Sequence, residues 1–206
     1  MIDSLYKMKK TIKIIAASAL AIAFAAACDH SEVVTDKVNV DLTEALQDGQ
    51  KDSVSVNAEV EFPVSGLPDS VKTRITETIV ETAFGSDYAG MEIHAAAEKW
   101  SSDYVKEYRE TNLEFAKEFE SGEPSEGVFN WENQLNGYFS GRHEDIVSYT
   151  VYNYIYSGGA HGTTTEVAVN MNRNTGKLVN EADFFIPGSR EALSGSLSPP
   201  LRDALP

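Results

Sequence analysis

Cysteine is almost missing from this sequence, since the 206-residue chain contains only Cys28. A lone cysteine excludes an intramolecular disulfide framework and every CxxC zinc or redox motif. The four histidines include no pair at positions i and i+4, and no Walker or dinucleotide-binding glycine motif is present. We therefore expect no metal and no cofactor.

Positive charge is also scarce. Lys and Arg number 17 against 32 Asp and Glu, so the formal net charge is −15 with histidine neutral. Proteins bind nucleic acid largely by neutralising phosphates with Lys and Arg, and this balance argues against nucleic acid as a partner. Hydrophobic residues make up 42% of the chain and charged residues 24%, which are ordinary values for a globular protein and argue against global disorder.

The sequence has no apolar run long enough for a membrane-spanning helix. The uncharged run, residues 14–27, is fourteen residues long, and a spanning helix needs about 20. It follows three lysines within residues 9–13 and ends in three alanines directly before Cys28. This order of charge, apolar run and small residues is typical of a secretory signal peptide.

The position of Cys28 resembles a bacterial lipoprotein signal with its lipobox. We predict that residues 1–27 are a lipoprotein signal peptide and that Cys28 is lipidated, which anchors the protein to a membrane of the bacterial cell envelope, at the outer membrane or at the cell surface or periplasm. Two alternatives are a signal peptide cleaved nearby, with Cys28 incidental, and a short uncleaved anchor.

The next two segments are predicted as a flexible tether, residues 28–52, and a strand–helix–helix upstream domain, residues 53–125. The tether is polar and acidic. In the upstream domain apolar residues alternate over 53–62, which predicts a strand. Four-residue apolar spacing then predicts a helix that ends at Phe84, and a longer helix follows over about 95–120.

Residues 126–206 are predicted to form a β-rich domain that is incomplete at its C-terminus. Alternation predicts strands over 128–140, 145–156, 163–172 and 177–185, joined by short turns. The predicted fold class is therefore α+β, an antiparallel meander sheet with two helices packed on one face.

A glycine-rich motif links two of these strands. Residues 154–162 read YIYSGGAHG, and a TGK turn at 175–177 and the DFF segment at 183–185 follow. This set resembles the RsiV-like domain family, with Phe184 in place of the usual leucine, and residues 53–125 are similar to the small domain upstream in PdaC-like and RsiV-like proteins. The resemblance implies an extracytoplasmic domain that binds or senses a lysozyme-type protein or peptidoglycan.

Counting residues outward from the predicted turns places several aromatic and polar residues at one end of the sheet. Aromatic rings beside a histidine and an acid suit glycan stacking or a protein-binding hot spot. An alternative is that these residues only close the end of the core. The predicted ligand-binding residues are Trp131, Tyr154, Tyr156, His161 and Asp183.

We favour a binding or sensing role over catalysis, assign no catalytic residue and expect a monomer. The alternative is an envelope hydrolase acting on glycan or peptide through Ser157, His161 and Asp183, although Ser157 lacks the G-x-S-x-G nucleophile elbow. The acidic face of the longer helix is either solvated surface or a surface that steers a basic partner. Its residues are Glu107, Glu110, Glu114 and Glu118.

Overall fold

The fold is a five-stranded sheet with two long helices packed on one of its faces. The computed structural model describes residues 33–47, 51–119, 128–185, 188–189, 192 and 194. The elements are β1 (Val34–Ala45), β2 (Ser53–Ser65), α1 (Asp69–Phe84), α2 (Ile93–Phe119), β3 (Trp131–His143), β4 (Ile146–Tyr156), β5 (Thr163–Asn172) and α3 (Glu181–Phe184). Residues 1–27, predicted to be a signal peptide, and Cys28 lie outside the described residues.

The strand order follows the chain, β1-β2-β3-β4-β5. Three neighbouring pairs are antiparallel, and β2 pairs with β3 in parallel. A parallel pair needs a long crossover, and α1 and α2 lie within it. The predicted α+β class with two helices on one face is confirmed, and the sheet is mostly antiparallel.

The hydrophobic core lies between the sheet and the two helices, on what we call the helix face. Alternate residues of β2 are buried, and Ile75 and Ile79 of α1 are buried as well. Tyr108 of α2 and Tyr149 of β4 are fully buried. The other side of the sheet, the open face, carries the alternate side chains of each strand.

The tether predicted over residues 28–52 is wrong for Val34–Ala45, which form β1. The strand pairs antiparallel with β2 along its whole length. Val38 is buried, and Val40 and Leu42 pack against the core. These apolar residues alternate with polar ones, as in a strand with one buried face, and β1 lies at the edge of the sheet.

The upstream and β-rich segments share this one sheet, because β2 and β3 pair from Val54 with Trp131 to Val60 with Gly137. The predicted last strand, 177–185, is wrong. Only Leu178 bridges to Met171, and the chain then turns into α3. None of the helices in the described part of the chain is long and apolar enough to cross a membrane.

Candidate functional site

Four tyrosines lie together on the open face of β3 and β4, and we call this surface the tyrosine face. In the sheet register each tyrosine stands opposite a polar residue, as Tyr152 does opposite Asn136 and Tyr154 opposite Gln134. Tyr138 is 45% exposed, and the other three are partly buried. The tyrosine face consists of Tyr138, Tyr152, Tyr154 and Tyr156.

Acidic residues flank these rings on the same face. Glu132 is the register partner of Tyr156, and the exposed Glu166 is the partner of Tyr152. Register partners in a sheet have side chains on the same face and within contact distance. The tyrosine face is therefore aromatic in the middle and negatively charged at its margins.

The glycine-rich loop, residues 157–162, folds back onto this face. The Tyr156 hydroxyl donates a hydrogen bond to the Gly159 carbonyl oxygen at 3.0 Å. Gly162 lies so close to the Tyr154 ring that a Cβ there would come within 2.5 Å of Cε2. Gly158 and Gly159 both have φ of 91°, in the left-handed region. The glycines of the motif therefore shape the loop.

His161 is exposed in this loop. Its Nδ1 is 3.3 Å from the Gly162 carbonyl oxygen. In the tautomer that donates from Nδ1, Nε2 is an acceptor that a ligand can use. The motif thus holds one histidine beside the two tyrosines that pack on its glycines.

Trp131 does not join this group, and the predicted proximity of Trp131 to Tyr154 is wrong. Trp131 lies on the helix face, where its ring centroid is 5.9 Å from that of Tyr104 and 5.6 Å from that of Tyr108. Tyr154 pairs with Gln134 instead. The real register differs by three residues, and an odd shift moves a side chain to the opposite face.

Asp183 lies in α3 rather than on a strand. Its Oδ2 accepts a hydrogen bond from the Asn180 backbone N–H at 2.8 Å, and Asn180 Oδ1 accepts one from the Ala182 N–H at 3.1 Å. This reciprocal pattern resembles a capping box and explains why the chain turns into a helix here. The hydrogen bonds of the described residues join none of Ser157, His161 and Asp183 to one another.

The structure thus places Tyr154 and Tyr156 on one face, with the loop that carries His161 folded against them. Tyr138 and Tyr152 were not among the predicted ligand-binding residues, although Tyr152 alternates with Tyr154 and Tyr156 in one strand and Tyr138 precedes the turn in the neighbouring strand. Among the residues that the structure describes, no group of three or more His, Cys, Asp and Glu is placed to hold a metal ion. On α2, Glu107, Glu110 and Glu114 are exposed, and the side chain of Glu118 lies outside the described part.

Comparison with known proteins identifies the fold. No protein-family model matches the chain, and no curated protein matches it. A solved member of the DUF3298 family from Bacteroides fragilis NCTC 9343 superposes with a TM-score of 0.73 at 21% identity, over 81% of this chain and 66% of that one. The chain has the fold of that protein.

A DUF3298 family protein from Pseudomonas aeruginosa PAO1 is more distant, with a TM-score of 0.54 and 17% identity over 80% of this chain and 62% of that one. The chain therefore spans just under two thirds of the length of both structures. DUF3298 denotes a domain of unknown function, so the resemblance carries the fold and leaves the ligand to be argued from the site.

Proposed function

We propose that this protein is an extracytoplasmic lipoprotein whose domain binds a basic protein of the lysozyme type through the tyrosine face. The observation that carries the proposal is the set of four tyrosines on one open sheet face with Glu132 and Glu166 beside them. The resemblance of the YSGGAHG motif to RsiV-like domains supports the same ligand class.

The chemistry of the surface fits a protein ligand. Tyrosine rings supply large contact areas, lose little conformational entropy on binding and recur in binding hot spots. The flanking carboxylates and the net charge of −15 accelerate encounter with a cationic partner. The tyrosine rings would therefore supply the affinity, and the negative charges would steer the cationic partner to the surface.

Calorimetric titration of the lipid-free domain with lysozyme at two salt concentrations tests the proposal. We expect saturable binding that weakens at high salt, because exposed charge pairs are screened over about 10 Å at 0.1 M salt. Tyr152→Ala should weaken binding about tenfold or more, the loss typical of a hot-spot residue, and keep the salt dependence.

Phe115→Ala is the matched control, because Phe115 is a ring on α2 that is 55% exposed and lies away from the tyrosine face. It should leave the dissociation constant within about twofold, as most truncations outside hot spots do. Equal losses for the two variants, or no binding of lysozyme, would reject this ligand.

Peptidoglycan is the second candidate ligand, and the amides of Gln134 and Asn136 opposite Tyr154 and Tyr152 favour it. Sugar rings stack on aromatic faces, and amide side chains donate to and accept from hydroxyls. Binding of neutral glycan fragments should depend on Tyr152 and be nearly independent of salt, which distinguishes it from binding of a basic protein.

An envelope hydrolase acting on glycan or peptide remains the alternative from another class. Catalysis would need His161 to act as a general base for Ser157. In the described part of the chain no hydrogen bond joins these two residues. Release of product from peptidoglycan that is lost in His161→Ala, with ligand binding retained, would favour this alternative over binding alone.

Localisation is a separate part of the proposal. If Cys28 carries the lipid, the protein fractionates with membranes, and Cys28→Ala releases it into the soluble envelope fraction. A variant that stays in the membrane would show that the leader itself is the anchor.

A further inference from the structure

A groove of about 450 Å³ lies between β1 and α2. On the strand side it touches five consecutive residues, 38–42, and on the helix side residues spread from His94 to Leu113. Because successive side chains of a strand point to opposite faces, a groove that touches every residue in a row runs along the edge of the strand.

That edge belongs to β1, the first strand of the sheet order. β1 pairs with β2 on one side, and on its other side no strand of the described chain pairs with it. A free edge presents unpaired backbone N–H and C=O groups, which are a template for an added strand. The groove therefore offers backbone partners along its length.

The inside of the groove is apolar where the strand and the helix meet. Val38 and Val105 are buried, Val40 and Leu42 are partly buried, and all four contribute to the wall. Apolar side chains from an added strand would be removed from water here.

The rim has an excess of uncompensated negative charge. Arg109 is held by Glu44 at 2.7 Å, and the Asp103 carboxylate is held by Lys99 at 2.6 Å. The exposed Asp41 and Glu98 have no ion-pair partner in the described ranges. The carboxylates of Asp41 and Glu98 make the rim negatively charged, so the rim would attract a cationic ligand.

We propose that the β1 edge binds an extended basic peptide of another protein by strand addition, with apolar side chains at alternate positions in the groove. The backbone of β1 supplies the hydrogen bonds, the groove selects alternating apolar residues, and Asp41, on the opposite face of β1 from Val40 and Leu42, selects Lys or Arg between them. This site is separate from the tyrosine face and does not depend on the function proposed for it.

A second copy of the chain is the weaker occupant. Pairing β1 with itself would place a strand that carries Asp36, Asp41 and Glu44 against an identical acidic strand, in a chain whose net charge is −15. Like charges placed opposite each other on neighbouring strands are destabilising. Charge complementarity favours a cationic peptide.

The test uses two synthetic octapeptides of equal charge, acetyl-(Lys-Val)₄-amide and acetyl-(Lys-Pro)₄-amide. The first can form a strand, and the second cannot because proline lacks the N–H and resists strand geometry. Hydrogen exchange followed by mass spectrometry should show protection of residues 34–45 by the first peptide and not by the second. We expect the Lys-Val peptide to bind at least tenfold more tightly.

Two variants with the same change in charge locate the site. Asp41→Lys, at the rim, should weaken the Lys-Val peptide about tenfold, and Glu166→Lys, on β5, should change its affinity less than twofold. Tyr152→Ala should leave peptide binding unchanged. A failure of the β1-edge proposal can therefore be distinguished from a failure of the function proposed for the tyrosine face.

Four results would overturn the proposal: no binding of the Lys-Val peptide, equal binding of both peptides, equal effects of the two charge reversals, or no protection of β1. A dimer detected by sedimentation, with β1 protected in the absence of peptide, would assign the edge to a second copy and would overturn it too.

Discussion

Gly162 packs against the Tyr154 ring, with no room for a methyl group. We expect Gly162→Ala to destabilise the fold by about 1–3 kcal/mol, the usual cost of an overpacked contact. Gly159→Ala is the control, because its Cβ would meet nothing within 4 Å and its cost comes only from the backbone φ of 91°. Urea denaturation measures both.

Tyr154→Ala separates the two causes. Removing the ring makes room at Gly162 and leaves the backbone strain at Gly159 as it was. A double-mutant cycle should therefore show coupling of Tyr154→Ala with Gly162→Ala and additivity with Gly159→Ala. Equal coupling in both cycles would mean that the loop does not rest on the ring.

Two buried tyrosines differ in one hydrogen bond. Tyr108 and Tyr149 are both fully buried. The Tyr149 hydroxyl donates to the Glu61 carbonyl oxygen at 2.8 Å, whereas the Tyr108 hydroxyl has no partner among the described residues. At pH 7 we expect Tyr149→Phe to cost about 1–3 kcal/mol and Tyr108→Phe to be nearly neutral or stabilising.

Urea denaturation of the two variants checks this pair. The deleted atom is the same in each, so the difference between them reports the hydrogen bond. Equal losses of stability would show that an ordered water or another group also satisfies the Tyr108 hydroxyl.

At the scale of elements, an aromatic cluster joins α2 to β3. Tyr104 packs between Trp100 and Trp131, and Tyr108 packs on Trp131 as well. Burial, aided by Glu107, raises the pKa of Tyr104 to about 12, and burial, aided by Asp52, raises the pKa of Tyr108 to about 12. Both rings are thus packed in their neutral form.

This cluster makes the fold sensitive to alkali. The unfolded pKa of tyrosine is about 10, so the folded state holds these protons more tightly, and the stability they contribute is complete below pH 10 and lost as pH rises towards 12. We expect unfolding in that range, followed by the fluorescence of Trp100 and Trp131. Tyr108→Phe should move the midpoint to higher pH; an unchanged midpoint would contradict this origin.

The elements predicted best are those with apolar residues at regular spacing. α1 ends at Phe84 with Gly85 after it, and β5 has the predicted bounds Thr163–Asn172. β1 was missed because it is an edge strand with one buried residue in its middle, and four charged residues obscure the alternation. Edge strands bury little, so their pattern is weak.

The site was predicted less well because it depends on register. The alternation of apolar and polar residues in β4 is enough to put Tyr152, Tyr154 and Tyr156 on one face. The pairing of β3 with β4 shifts between Phe139 and Gly141, and the hairpin closes between His143 and Ile146. The predicted strands end at 140 and restart at 145, which misplaces the register by four residues, and the irregularity at Phe139/Gly141 takes one back. Because neither feature leaves a mark in the hydrophobic pattern, counting from the turn misplaced Trp131 by three residues.

At the scale of the whole molecule, charge acts in opposite directions on folding and on binding. The net charge of −15 repels itself in the compact state, and the ion pairs that oppose it are largely exposed, such as Lys106 with Glu110 at 3.6 Å. Exposed pairs are worth about 0–1 kcal/mol each, so screening removes more repulsion than attraction.

We therefore expect added NaCl to stabilise the fold while it weakens every cationic ligand. The urea midpoint should rise between 20 and 500 mM NaCl, with an unchanged denaturant slope, whereas the affinities for lysozyme and the Lys-Val peptide should fall over the same range. Glu166→Lys makes the net charge less negative by two, so the urea midpoint of this variant should rise less with added NaCl. A midpoint that falls with salt would mean that specific ion pairs, rather than net repulsion, dominate the electrostatics of the folded chain.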